Sequence, residues 1–123
     1  MISKTLKGFS GSAHSVGILD DGAIYVDVHW FDDDRGDSTS TYFVSPSSAM
    51  KIRKLLISDR SHINDDSYLL DVFANKFNDS LDVVKWLERS GIVMYKHVDS
   101  YANSSVPNTL PGWVLNMIAE SEH

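Results

Sequence analysis

Three of the five histidines, His14, His29 and His97, fall in or beside stretches that read as strands, and Asp27 stands two residues before His29. Two imidazoles and a carboxylate are the groups that general acid–base chemistry or a metal site would use. Their spacing contains no HExxH and no His-x-His, so each histidine reads first as a hydrogen-bonded structural or surface residue. His62 and His123 read as loop and terminus. The second suggestive stretch is Asp32-Asp33-Asp34-Arg35-Gly36-Asp37. Hard cations take several oxygen ligands from a tight, glycine-containing loop, but the EF-hand order and its distal bidentate Glu are missing, and no metal is assigned. The loop reads instead as solvated carboxylates, and dense like charge on a short exposed loop steers a basic partner. Arg35-Gly36-Asp37 matches the cell-adhesion tripeptide, a match that three residues make by chance. No GxSxG, no P-loop and no GxGxxG after a strand is present, and Gly8, Gly11 and Gly17 are irregularly spaced, so neither a nucleophile nor a cofactor is assigned.

The elements that must position these groups begin with Ala23 to Phe31. Ile24, Val26, Val28 and Trp30 alternate with Tyr25, Asp27 and His29, and a period of two marks a half-buried strand. Upstream, Val16 and Ile18 alternate before Asp20-Asp21-Gly22, and Asp-Gly between strand-like runs signals a hairpin. A first strand at 11–19 and a second at 23–31 follow. Thr39 to Val44 is β-branched and aromatic and reads as a third strand. Ser45-Pro46 then opens a helix over 46–58 on Ala49, Ile52, Leu55 and Leu56. Carboxylates at Asp65 and Asp66 start a second helix over 65–77, with Leu69, Leu70, Phe73 and Phe77 as its stripe. Ser80 is expected to cap a third helix, burying Val83, Val84 and Leu87 and stopping at Gly91. Residues 92–98 read as a fourth strand, and Pro111 as the start of a final helix with Trp113, Val114, Met117 and Ile118 on one face. Strands followed by helices argue for α+β: an antiparallel sheet of about four strands with three to four helices packed on one face. Tyr25, Asp27 and His29 would then lie on the other face.

The chain has 123 residues, 42% of them hydrophobic, which fits a single domain over 1–123. It has no cysteine, so disulfides and thiolate metal sites are excluded. The formal net charge is −6, which disfavours nucleic acid and anionic membranes as partners and favours basic ones. Acids concentrate at the sheet end, where Asp20, Asp21, Asp27, Asp32, Asp33, Asp34 and Asp37 face only Lys4, Lys7 and Arg35. The first residues carry no apolar run fit for a secretory signal core. No segment approaches the roughly 18 consecutive apolar residues of a membrane span, so the expected location is the cytoplasm.

With its size, its Asp20-Asp21 and Asp32 to Asp37 clusters, and no catalytic motif, the chain resembles the immunity proteins that bacteria make against secreted toxins, including those of contact-dependent growth inhibition. The resemblance implies tight binding to a cognate toxin domain, often a basic nuclease, by covering its active site or an adjacent exosite. The residues themselves suggest how. Asp27, Asp32, Asp33, Asp34 and Asp37 would supply charge, and Tyr25, His29 and Tyr42 would anchor the partner. Two other classes stay open: a small hydrolase or nucleic-acid-modifying enzyme using Asp27, His29 and His97, and an adaptor or regulatory domain whose partner need not be a toxin.

Overall fold

The computed structural model describes residues 1–31, 38–100 and 112. Among them the alternation that starts at Ile24 becomes the central strand of a five-stranded antiparallel meander. The elements are β1 (Ile2–Leu6), β2 (Ser12–Ile18), β3 (Ile24–Trp30), β4 (Ser38–Val44), α1 (Pro46–Leu56), a 3₁₀ turn at Arg60–His62, α2 (Asp66–Lys76), α3 (Ser80–Arg89) and β5 (Tyr95–Ser100). The strands lie side by side in chain order. The fold is α+β, as the pattern predicted, with one strand more than expected. The helix expected from Pro111, with Trp113, Val114, Met117 and Ile118, lies outside the described residues.

The additional strand is β1. Only Leu6 of its five residues is buried, so its sequence carries almost no periodic signal. Its place comes from backbone pairing to β2, with Ile2 opposite Ile18 and Leu6 opposite His14, and from α2, whose Asp71 pairs with Lys4. The β2–β3 connection is the hairpin expected between strands ending at 19 and starting at 23. Leu19 N–H donates to Ala23 O at 2.8 Å and Gly22 N–H to Leu19 O at 2.9 Å, so the loop holds three residues. Gly22 sits at φ 91°, the left-handed position that a three-residue hairpin needs and that a Cβ would strain.

The sheet buries one face against the helices. Val16, Ile18, Ile24, Val26 and Val44 share a core with Ala49, Ile52, Leu69, Leu70, Phe73, Val83 and Leu87. α2 lies against β1 and β2, and α3 against β2 and β3. Each helix starts on a side-chain cap. Ser45 accepts from Ser48 N–H, Asp65 from Tyr68 N–H and Asp79 from Asp82 N–H. The cap of α3 is thus Asp79 and not Ser80, which is the first helical residue and buried. At the other end Gly91, at φ 72°, completes a paired cap. Its N–H donates to Glu88 O and that of Ile92 to Leu87 O. This double bond pattern brings the residue after the glycine back onto the helix. Ile92 therefore joins the core, and the last strand starts at Tyr95 and not at 92.

Candidate binding surface

Antiparallel partners direct their side chains to the same face, so the register assigns every strand residue. Val16 pairs with Val26 and Val26 with Tyr42, which fixes these three on the helix side. The opposite face carries two rows. One runs Ser15, Asp27, Thr41, His97, and the other Gly17, Tyr25, Phe43, Tyr95. His29 follows on the same face, opposite Thr39.

Of the sequence-predicted residues, Tyr25, Asp27 and His29 thus share a surface on the side away from α1–α3. Tyr42 does not join them. Its ring packs at the edge of the core with the Lys96 ammonium 5.5 Å from its centroid. The third strand's mixed pattern hid this, because Thr41 and Phe43 belong to one face and Tyr42 and Val44 to the other. Asp32, Asp33, Asp34 and Asp37 lie outside the described residues. The chain reaches them through Phe31, which is 53% exposed and whose ring lies 4.9 Å from that of His29.

The groups on this surface are held by short polar contacts. Asp27 Oδ1 accepts from the Ser15 hydroxyl. Burial nevertheless pushes its carboxyl above the ordinary value, against the hydrogen bond from Ser15 and the fields of His29 and His14. Nδ1 of His29 lies 2.6 Å from Thr39 Oγ1. The Tyr25 ring lies across Gly17, where an added Cβ would come within 2.2 Å of ring carbons. Burial raises the Tyr25 phenol, opposed by a hydrogen bond with the Ser3 side chain and reinforced by the charge of Asp27. His97 is 5% exposed, and its Nε2 has no hydrogen-bond partner among the described residues.

His14 has a hydroxyl beside it but not the tautomer that would activate one. His14 Nε2 lies 2.7 Å from Ser12 Oγ, the separation of a nucleophile and its base. Its Nδ1, however, faces the backbone N–H of Ser80 at 3.0 Å. An amide can only donate, so Nδ1 accepts and the neutral ring carries its proton on Nε2. That proton points at Ser12, whose hydroxyl donates to Phe9 O. A serine nucleophile needs the reverse tautomer. The unit is a brace, completed by Ser80 Oγ–H donating to Asp27 O at 2.6 Å, and it ties the start of α3 to β2 and β3. Sequence reasoning missed Ser12 and read Ser80 only as a cap, since no local pattern connects Ser80 to His14, 66 positions away.

No group of three or more His, Asp or Glu side chains that could hold a metal ion occurs among the described residues. Among them, no helix is long and apolar enough to cross a membrane. Comparison with protein-family models, with curated proteins and with solved structures finds no match to this chain.

Proposed function

We propose that this protein binds and neutralises a cognate bacterial toxin domain of basic character, acting in the cytoplasm in the manner of contact-dependent growth inhibition immunity proteins. The observation that carries the reading is the register of β3. It puts Tyr25, Asp27 and His29 on the face away from the helices, on a strand that runs through Phe31 directly into Asp32-Asp33-Asp34. Aromatic anchors next to dense carboxylates suit a partner that keeps a positive cleft for phosphates. Apolar contact supplies affinity there, and opposite charge supplies encounter rate. The experiment is growth of a susceptible host expressing the product of the gene immediately upstream, with and without this chain. Restored growth together with a complex on size-exclusion chromatography is expected. A toxin that kills equally in both strains overturns the reading.

One observation favours an enzymatic reading: Asp27 and His97 do share a row. Thr41 stands between them, so they form no direct acid–base pair in this state. Turnover of nucleotide or ester substrates that disappears in His29→Ala or His97→Ala would establish it. A folded chain without turnover leaves binding as the better account.

A further inference from the structure

We propose that the chain's own C-terminal segment, which follows β5, covers the β4–β5 half of the sheet face turned away from α1–α3, with Trp113, Val114, Met117 and Ile118 as its contact side. This cover does not depend on the identity of any partner, and it leaves the β1–β3 half of that face as the part open to docking.

Burial across this face runs the wrong way for an open sheet. On β1, Ser3 and Thr5 belong to it and are exposed, as is Ala13 on β2. At the other edge His97 of β5 is 5% exposed and its Nε2 is closed to water, and Phe43, diagonal to it on β4, is 7% exposed. An edge strand has a neighbour on one side only, so with nothing laid over it its side chains are the most open of the sheet. A large ring on a sheet face becomes this buried under a further layer of structure.

The described residues do not supply that layer. The helices and their connections, through Ile57, Ile63 and Ile92, pack into the core on the opposite face, and Phe43 is not part of that cluster. The connection from Phe31 to Ser38 consists of four aspartates, an arginine and a glycine. Held at both ends, a stretch of that length reaches out about 12 Å at most, whereas Phe43 stands about 17 Å along β4 from Ser38.

The residues after Ser100 fit the place. They are expected to form a helix from Pro111 with four apolar side chains on one face, and Gly112 is helical and exposed. Such a helix, carried to the last residue, is about 18 Å long, close to the roughly 20 Å over which β5 extends. The chain leaves β5 at Ser100, opposite Ser38, and the residues between there and Pro111 span up to about 33 Å, enough to turn back along the strand pair to Phe43. A tethered segment also meets this face at a high effective concentration, which a free partner must match from solution.

The test uses the full chain, labelled for NMR. Nuclear Overhauser contacts are expected from the Trp113 indole and the Met117 methyl to the rings of Phe43, Tyr95 and His97, and none to Ser3 or Thr5. Absence of the contacts to Phe43 and His97 overturns the proposal, and so does finding them only between differently labelled chains, which puts a second copy on this face. Labelling with diethyl pyrocarbonate, read by mass spectrometry, gives a second measurement. In the unaltered chain His97 is expected to react as slowly as buried His14, and in the full-length variant carrying Val114→Asp and Met117→Asp at the rate of half-exposed His62, with His14 still protected. His97 that stays protected in that folded variant overturns the proposal. A variant that loses protection at His14 has unfolded, and the contacts in the unaltered chain then decide. Neither measurement involves a toxin, so this result and that of the growth assay are separable.

Discussion

At the scale of single residues, the sheet face opposite the helices holds charge at a cost. Burial holds the Asp27 carboxyl above its ordinary 3.8, so the folded state keeps its proton to higher pH than the unfolded chain does. Between those two midpoints the folded state binds more protons, and stability from this group falls as pH rises. The penalty is complete above the folded midpoint and absent well below the unfolded one. Asp27→Asn is therefore expected to raise the urea midpoint at neutral pH, with a gain that fades as the pH is lowered through the folded midpoint toward 3.8. A gain of the same size in acid would assign the effect to packing. His14 shows the opposite economy, with every polar atom satisfied. His14→Phe strands the Ser80 amide and should cost about 1–3 kcal/mol in chemical denaturation. His14→Asn, whose amide oxygen falls near the position of Nδ1, should recover part of that loss.

Among the elements, the joint between α1 and α2 is specific and polar. Arg53 of α1 is buried, and its guanidinium donates to Asp66 Oδ1 at 2.5 Å and to Ile63 O at 3.2 Å. The two partners are unequal, since the Arg53 side chain is 6% exposed and that of Asp66 47%. Removing the carboxylate leaves a buried cation, whereas removing the cation leaves an acid that water can reach. Asp66→Ala should accordingly destabilise more than Arg53→Met, by about 1–2 kcal/mol in matched urea titrations. Equal losses would mean that the aliphatic stem of Arg53, and not its charge, holds α1 to α2.

For the whole molecule, the sign and placement of charge decide what it meets. The formal net charge is −6, and each reversal of an aspartate to lysine shifts it by two. Changing Asp32, Asp33 and Asp34 together to Lys thus cancels it. In stopped-flow mixing with the toxin domain at low salt, the triple variant is expected to associate about tenfold more slowly or worse, with a flattened dependence on ionic strength. Unchanged kinetics would remove this segment from the interface and leave Tyr25, Asp27 and His29 to account for binding.

Wherever a local pattern sufficed, the sequence was enough. Alternation set β2 and β3, and Ser45-Pro46, Asp65 and Gly91 bounded the helices, because caps and periodicity act within a few residues. The α+β class followed from element order alone. The tertiary structure decided what depends on pairing across the chain. A strand with one buried residue, β1, is placed by the hydrogen bonds of β2 and by its contact with α2. Tyr42 left the proposed surface because register, not residue type, selects the face. The row joining Asp27 to His97 and the brace joining His14 to Ser80 link positions far apart in sequence, and no local pattern encodes which distant atom will satisfy a buried donor.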